Sequence, residues 1–520
     1  MNRRHDIVFA PDWAMQQGRN VTLAVALTAG FALLLHLALA GRYDFFRDEL
    51  YFIACGRHPA FGYVDQPPLV PLLAAATQFF GHNLFLLRAI PAVAAAGTVL
   101  VACLFARLAG GGAYAVALTG IAVATAPMYV GIDGTFNTSA FEPLAWTAMT
   151  YFIARAVYGD RRALIWAGSV IGIELEVKYQ IPFYAVPLIV ALLFTPQRTA
   201  LFTREAAIGA VLAVVIAAPS IVWQIGHGLP FLELLAAGAG GKNVIQPPLP
   251  FILNQLGVMN FLFAPVWIAG VVASIASPQL ARLRFVGVGF VLAFFLMFFL
   301  HAKDYYLAGL YASAFALGAV AIEKQVANAA FRVVYPALGV AAAALGWPNG
   351  VPLLDPPQLV RYLDTMTFLR PQEQEKSFHG QRIPQNLADQ LGWRELAQNV
   401  AAVYRALPPT DQARAAIIGS NYGEAGAIDF YGSAYGLPPT LSGHNQYWLW
   451  GTRGYDGSVI IYINSFDVSF WKKHCREAHV AGMFGSSPYV EPYEHNRPIV
   501  LCHGFFKPLP QTWALFKNYV

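Results

Sequence analysis

The chain has 520 residues, of which 57% are hydrophobic and only 12% are charged. Because soluble globular proteins carry roughly 25% charged residues, this composition excludes a protein that is surrounded by water, and lipid must solvate much of the chain. The formal net charge of +5 is small, and the basic residues are scattered rather than grouped with aromatic residues, which argues against nucleic acid as a partner.

Long apolar segments predict a polytopic α-helical membrane protein with about 11 transmembrane helices in residues 21–346. The first apolar segment, residues 21–40, follows Arg19 and has no convincing cleavage site, so it predicts an uncleaved signal-anchor helix. Further segments begin near Leu84, Ala113, Ala140, Ala163, Tyr179, Ala206, Phe251, Phe285, Asp304 and Ala327.

A polar interruption divides one stretch of these apolar residues. Glu174, Glu176 and Lys178 lie between Ala163 and Phe194. The pattern is compatible with two short helices that meet at the outer surface, and equally with one span followed by a re-entrant segment.

Basic residues between the helices indicate the orientation. With residues 1–20 in the cytoplasm, the inner loops carry the cations that the positive-inside rule expects. These cations are Arg107, Arg161, Arg162, Arg198, Arg204, Arg282, Arg284 and Lys324. An odd number of helices then places residues 347–520 outside. We therefore predict a multi-pass protein of a bacterial inner membrane with a cytoplasmic N-terminus and a periplasmic C-terminal domain.

The C-terminal region, residues 347–520, is more polar than the rest and predicts an α/β domain. Residues 415–418 and 459–463 are typical of short strands, and turn and helix signals surround the first of them. Cys475 and Cys502 lie in this region, and an oxidising compartment permits a disulfide between them. The sequence is equally compatible with two unpaired thiols.

The first predicted outer loop, residues 42–82, carries several polar side chains close to the membrane. Asp48 and Glu49 lie in an aromatic segment, and Asp65 and Gln66 precede two prolines that fix the start of the next helix. Charges at a membrane boundary are costly unless they pair, hydrate or function. These residues are therefore candidates for a site, while a solvated helix end and a simple loop boundary remain alternative explanations.

Asp48 and Glu49 are expected to have different roles. Adjacent residues of a helix point about 100° apart, so the two carboxylates cannot face the same neighbours. One of them can face a cavity while the other pairs with a cation such as Arg47 or Arg57.

Later outer loops carry Asp133, Lys242 and the segment with Lys303, Tyr305 and Tyr306. Convergence of charged groups from distant loops on one face predicts a site there. An ordinary turn at Asp133 and an interfacial anchor of Lys303 with its tyrosines are the structural alternatives.

Metal binding is left open by the sequence. No His and Cys residues have the spacing of a zinc site. Asp48 and Asp133 are the candidate ligands for a divalent metal.

Several short motifs occur in a characteristic order along the chain. They are Phe46–Tyr51, Gly62–Leu69, Asp133, Lys178-Tyr179 and Lys303–Tyr306, followed in the C-terminal region by residues 422–427 and 442–448. Over residues 21–346 this order resembles the integral-membrane glycosyltransferases of family 39 and their relatives of the C-type fold. These relatives include protein O-mannosyltransferases and the aminoarabinose transferases of lipid A.

The resemblance implies transfer of a sugar outside the membrane from a polyprenyl-phosphate donor, with inversion at the anomeric carbon. By motif match, Asp48 is the candidate catalytic carboxylate, with Glu49 beside it and Asp133 as a second acidic residue of the site. The aminoarabinose transferases carry a Lys before the two prolines, whereas this chain has Gln66. A phosphate contact of that Lys therefore cannot be transferred to this chain, and an aminoarabinose role is in doubt.

The chemistry of such a reaction fits the residue types. A carboxylate can act as general base for the acceptor hydroxyl, and the departing lipid phosphate needs positive charge from side chains or from a divalent metal. The candidates for donor-phosphate and substrate binding are Asp65, Gln66, Arg88, Lys242, Lys303, Tyr305 and Tyr306. The acceptor is a lipid such as lipid A, a surface glycan or a protein.

Two other functions compete with this hypothesis. A transporter or flippase of lipid-linked sugars would share the apolar helices, but the inverted repeats that transporters usually show are not detectable. A non-catalytic scaffold for envelope assembly would explain the C-terminal domain, but it leaves Asp48, Asp65 and Asp133 without a role.

Overall fold

The computed structural model of the protein describes residues 12–238, 244, 246–370, 375–465 and 467–519, with side chains from residue 18 onward. The described residues up to Gly350 form a helical bundle, since a helix satisfies its backbone hydrogen bonds internally in lipid. Its helices are α1 Asp12–Leu39, α2 Arg47–Arg57, α3 Leu69–Gln78, α4 Leu84–Leu108, α5 Ala113–Thr125, α6 Pro127–Ile132, α7 Glu142–Val157, α8 Ala163–Leu175, α9 Pro182–Leu193, α10 Arg204–Gly226, α11 Pro230–Ala237, α12 Pro248–Val258, α13 Ala264–Ala276, α14 Arg284–Phe299, α15 Ala308–Gln325 and α16 Ala329–Gly350.

Six helical segments of the described chain are long and apolar enough to cross a membrane. They are Gly18–Leu39, Leu84–Leu108, Arg204–Gly226, Pro278–Phe299, Asp304–Gln325 and Ala329–Gly350. Pro182–Leu193 and Pro196–Phe202, which meet at a bend of 120°, would add a seventh if they form one span. The chain is thus a multi-pass membrane protein, whereas the count of about 11 transmembrane helices stays a prediction. The polar interruption after Ala163 separates two helices, α8 and α9.

Helix α15 lies at the centre of the bundle, with 78% of its most apolar window buried inside the protein. Small residues let neighbouring helices approach it closely, as is common in membranes. A Cβ atom on Gly318 would lie only 1.7 Å from the carbonyl oxygen of Val266 on α13. The tight bundle positions the loops at its ends.

The C-terminal region forms an α/β domain around a five-stranded sheet. Its helices are α17 Pro356–Thr365, α18 Gln385–Ala388, α19 Trp393–Ala406, α20 Pro409–Gln412, α21 Tyr422–Tyr431, α22 Gln446–Leu449, α23 Val468–His474 and α24 Leu509–Thr512. Its strands are β1 Ala415–Gly419, β2 Leu441–Ser442, β3 Val459–Ile463, β4 Cys475–Phe484 and β5 Arg497–Phe505. The strand order is β2-β1-β3-β5-β4. Strands β2, β1 and β3 are parallel, and β5 pairs antiparallel with β3 and β4. The two predicted strands are thus present as β1 and β3.

A disulfide joins Cys475 on β4 to Cys502 on β5, with 5.8 Å between their Cα atoms. The sequence left this pairing open. The bridge ties the edge strand β4 to the sheet.

The C-terminal domain shares one hydrophobic core with the first loop of the bundle. Leu50 and Ile53 of α2 belong to the same buried cluster as Ile417 of β1 and Ala425 and Ile428 of α21. The α/β domain is therefore docked directly on α2, and side chains of the two regions meet there.

Candidate active site between the first loop and the C-terminal domain

Glu49 is completely buried and joins three segments of the bundle. Its carboxylate accepts hydrogen bonds from Arg88 Nε and Nη2, each at 2.9 Å, and from the backbone N–H groups of Phe46 and Phe136 at 2.7 and 2.8 Å. The cation that pairs with this carboxylate is thus Arg88 of α4, and the expectation of Arg47 or Arg57 was wrong for Glu49. Tertiary folding brings the Arg88 side chain of α4 to Glu49 of α2, which the local spacing of the sequence does not encode.

Arg88 is only 2% exposed. Besides Glu49, its guanidinium donates to the carbonyl oxygens of Ala40 and Asp44, each at 2.8 Å, and to Oε1 of Gln390 at 3.2 Å. With its donors occupied inside the protein, Arg88 does not face a substrate, and its placement favours a structural role over donor-phosphate binding.

Asp48 points away from this ion pair, and its side chain is 30% exposed. Its Oδ1 accepts a hydrogen bond of 2.8 Å from the hydroxyl of Tyr422 on α21, and Arg47 Nε lies 3.6 Å from the same oxygen. Oδ2 has no hydrogen-bond or ion-pair partner in the described parts of the chain. Asp48 thus combines a fixed orientation with a free, accessible oxygen, which is the arrangement that a general base requires.

Arg47 is held beside Asp48 by the C-terminal domain. Its Nη1 donates to the hydroxyl of Tyr493 at 2.6 Å and lies 3.5 Å from Oδ1 of Asp389. Its guanidinium carbon is 5.3 Å from the centre of the Tyr422 ring. Burial raises the pKa of Asp389 to about 7, an effect that the charge of Arg47 opposes.

Asp65 is a second carboxylate that contacts both the first loop and the C-terminal domain. Its Oδ1 accepts from the hydroxyl of Tyr51 on α2 at 2.7 Å, and its Oδ2 accepts from Asn445 Nδ2 at 3.3 Å. Burial raises the pKa of Asp65 to about 6. Gln66 is buried and its amide faces the sulfur of Cys55 at 3.9 Å, so its side chain faces the protein interior.

Asp133 ends α6 and is 3% exposed. It lines a small cavity of about 10 Å³ together with His36, Thr98 and Tyr129. No hydrogen bond within the described chain joins Asp133 to Asp48, although the N–H of Phe136, three residues after Asp133, donates to Glu49. The structure therefore does not bring Asp133 into contact with Asp48.

Lys178 and the loop with Lys303 form the cationic part of the site. Lys178 Nζ donates to Glu142 Oε2 and Ser139 Oγ, each at 2.8 Å, and lies 4.6 Å from the ring centre of Tyr306 and 5.9 Å from that of Tyr305. Two tyrosines thus flank the ammonium group of Lys178, which was not among the predicted substrate-binding residues.

Lys303 forms an ion pair of 2.5 Å with Glu375 of the C-terminal region. Burial lowers the pKa of Lys303, but Tyr306 and Glu375 outweigh this effect and raise that pKa above its ordinary value. Lys303 thus ties its loop to the C-terminal region, which also contacts Asp48 through Tyr422. Lys242, the remaining predicted cation, lies outside the described residues.

Asp48 and Asp133 are the predicted ligands of a divalent metal. Within the described residues, no three His, Cys, Asp or Glu side chains lie together in a way that could hold an ion. Asp48 and Asp133 in particular belong to separate environments.

Tyr422 and Lys178 are the residues that sequence reasoning did not assign to the site. The motifs that contain them were recognised, but only three-dimensional packing shows that Tyr422 and Asn445 touch loop carboxylates more than 370 residues away.

Solved structures with the same architecture identify the fold. ArnT from Cupriavidus metallidurans bound to undecaprenyl phosphate superposes with a TM-score of 0.60 at 13% identity, covering 92% of this chain and 97% of that chain. Its apo state gives 0.60 at 14% identity, covering 92% and 98%. The chain has the C-type glycosyltransferase fold.

More distant C-type structures and a family model extend this likeness. The oligosaccharyltransferase AglB from Archaeoglobus fulgidus, in complex with an inhibitory peptide and a dolichol-phosphate, has a TM-score of 0.50 at 11% identity, covering 88% of this chain and 71% of that chain. Residues 65–223 match the family described as dolichyl-phosphate-mannose-protein mannosyltransferase. A search of curated protein sequences finds no match. The resemblance to family 39 and to the C-type fold is thereby confirmed.

Proposed function

We propose that the protein is a membrane glycosyltransferase that moves a sugar from a polyprenyl-phosphate donor to an acceptor outside the cytoplasm, with inversion. The observation that carries this proposal is Asp48, whose carboxylate is fixed through Oδ1 and free at Oδ2. The C-type fold and the family match of residues 65–223 support the class of donor.

The proposed reaction is a single displacement at the anomeric carbon. The acceptor hydroxyl attacks this carbon while Asp48 Oδ2 takes the hydroxyl proton. The bond between the anomeric carbon and the phosphate oxygen breaks, and its electron pair leaves with the polyprenyl phosphate. One base and a good leaving group suffice, so a second carboxylate nucleophile of the retaining scheme is not needed.

The leaving phosphate is the natural partner of Lys178 and Lys303. The ammonium group of Lys178 lies beside the rings of Tyr305 and Tyr306, which belong to the same loop as Lys303, and Lys303 pairs with Glu375 of the C-terminal region. Charge placed in advance at the position where negative charge develops stabilises a transition state. Lys178 and Lys303 are therefore our candidates for donor-phosphate binding, in place of the buried Arg88.

The proposed site lies on the side of the bundle where the C-terminal domain docks. The loops with Asp48, Asp65 and Lys303 all contact the C-terminal domain, so they lie on the same side of the bundle as that domain. With a cytoplasmic N-terminus, this side is the periplasm of a bacterial inner membrane, where nucleotide sugars are absent and a lipid carries the donor sugar. The acceptor is a lipid, a surface glycan or a protein.

The proposal is tested by sugar transfer with purified protein and a panel of polyprenyl-phosphate sugars. We expect the wild type to release polyprenyl phosphate and Asp48→Asn to lose about 10²–10⁴-fold in rate. Asp44→Asn is the matched control, because the Asp44 side chain is similarly exposed, at 32%, and also accepts from a tyrosine of α21. Its rate should stay within about threefold of the wild type, as expected for a residue outside the reaction.

Two results would contradict the proposal. One is a folded wild type that consumes no donor but moves sugar lipids across proteoliposome membranes, which would favour a transporter. The other is an Asp48→Asn variant as active as Asp44→Asn, which would remove Asp48 from the reaction.

A further inference from the structure

The docking of α21 on α2 brings Tyr422 to Asp48. The two helices approach closely at glycines of α21: a Cβ atom on Gly423 would lie 2.5 Å from Cγ of Arg47, and one on Gly426 would lie 3.1 Å from the carbonyl carbon of Leu50. A bulkier residue at either position would push the helices apart. The spacing thus depends on these glycines, and it places the Tyr422 hydroxyl within hydrogen-bond distance of Asp48.

Tyr422 is itself rigidly held. Its ring packs against the ring of Tyr51, with centres 4.6 Å apart, and against the His444 ring at 4.8 Å. The Arg47 guanidinium lies over it. Packing on several sides fixes the ring so that its hydroxyl points toward Asp48. The hydrogen bond is therefore preorganised, unlike one formed by a mobile surface side chain.

The same aromatic contact connects the two loop carboxylates. Tyr422 donates to Asp48, while its neighbour Tyr51 donates to Asp65, each through a phenolic hydroxyl at 2.8 and 2.7 Å. Tyr51 also accepts the backbone N–H of Gln446 in the C-terminal domain at 3.2 Å. The C-terminal domain therefore reaches both carboxylates of the first loop.

We propose that Tyr422 is a positioning residue of the transferase, which holds Oδ1 of Asp48 so that Oδ2 faces the acceptor hydroxyl, and that the C-terminal domain in this way completes the active site. This inference rests on the proposed function. Tyr422 does not exchange protons with substrate. Its hydroxyl restricts the carboxylate to the orientation in which proton transfer can occur, and a misplacement of about 1 Å can cost 10²-fold in rate.

The test compares Tyr422→Phe with Tyr431→Phe in the full-length protein. Both variants keep an aromatic ring and remove one hydroxyl that donates from α21 to an aspartate, Asp48 in the first case and Asp44 in the second. We expect Tyr422→Phe to lower kcat by about 10- to 100-fold with KM for the donor within about twofold. Tyr431→Phe should keep the wild-type kcat within about twofold. Melting temperatures of both variants should fall by similar amounts.

A double variant separates positioning from general structural damage. In an Asp48→Asn background, Tyr422→Phe should change the residual rate by less than about twofold, because two residues that act as one unit are not additive. If Tyr422 had only a general structural role, Tyr422→Phe would instead lower the residual rate by the same factor as it lowers the wild-type rate.

The outcomes distinguish this proposal from the one on which it rests. A wild type that transfers no sugar would overturn both. An active wild type in which Tyr422→Phe behaves like Tyr431→Phe, or in which its effect multiplies with that of Asp48→Asn, would overturn the role of Tyr422 alone.

Discussion

The interface between α2 and α21 has two ends with nearly the same local arrangement. At each end a tyrosine hydroxyl of α21 donates to an aspartate of the first loop, and an arginine guanidinium lies over the tyrosine ring. The residues are Asp48, Tyr422 and Arg47 at one end and Asp44, Tyr431 and Arg394 at the other. The closest Asp–Arg distances are 3.6 and 3.7 Å.

The two ends differ in what surrounds them. The side chain of Arg47 is 13% exposed and contacts Tyr493 and Asp389, whereas that of Arg394 is 61% exposed. The same hydrogen-bond pattern thus serves a solvated surface contact at one end and a candidate catalytic base at the other, because burial and neighbouring charge decide how strongly each group interacts.

The largest effect is expected from a substitution of Glu49, which disturbs both ends of the α2–α21 interface. Glu49→Ala removes the carboxylate that anchors α2 and leaves the buried Arg88 guanidinium without its partner. Breaking a buried pair in this way typically costs about 3–5 kcal/mol. We expect a large fall in the melting temperature of the detergent-solubilised protein, and loss of transfer activity with it.

The control for this prediction removes both charges. In Glu49→Leu combined with Arg88→Met, no buried charge is left unpaired, so most of the lost stability should return. A Glu49→Ala protein that melts like the wild type would contradict the structural role of this ion pair.

Much of the fold follows from local pattern. Apolar segments predict the helices because each helix satisfies its own backbone in lipid, and the two strands at residues 415–418 and 459–463 correspond to β1 and β3. The 100° between neighbouring helical residues correctly separates Asp48 from Glu49. Such inferences depend only on residues that lie within a few positions of one another in the sequence.

The partners in the site could not be predicted because they depend on tertiary packing. Arg88 lies 39 residues from Glu49, and Tyr422 lies 374 residues from Asp48. Arg88 on an apolar helix is indistinguishable by pattern from a cation that faces a substrate, and only its buried hydrogen bonds separate the two cases. The role of Asp133 in catalysis stays a prediction.

A smaller effect is expected from widening the α2–α21 interface at its middle. Gly426→Ala places a Cβ atom 3.1–3.2 Å from the backbone of Leu50 and Tyr51, so the helices must shift apart and both tyrosine–aspartate bonds lengthen. Overpacking of this kind costs about 1–3 kcal/mol. Transfer should fall several-fold while donor binding, measured by KM, is retained.

Gly226→Ala is the matched control for this variant. Gly226 is also helical, and a Cβ atom there meets nothing within 4 Å. Its stability and activity should stay near those of the wild type. Equal effects of the two substitutions would show that the close approach of α21 does not matter for the site.

The smallest expected effect concerns the pH dependence of the Asp48 end, where Asp389 supports Arg47. Burial raises the pKa of Asp389 to about 7, above the ordinary value of 3.8, so the folded protein binds this proton more tightly than the unfolded chain. The associated stability is present below pH 4 and is lost as the pH rises through 7.

Asn at this position does not titrate. The melting temperature of Asp389→Asn minus that of the wild type should therefore rise between pH 4 and pH 7 and level off above pH 8, and the change should be modest because Arg47 offsets part of the buried charge. A difference that stays flat over this range would mean that Arg47 keeps Asp389 ionised in the folded protein, and the Asp48 end would then be held by a permanent ion pair.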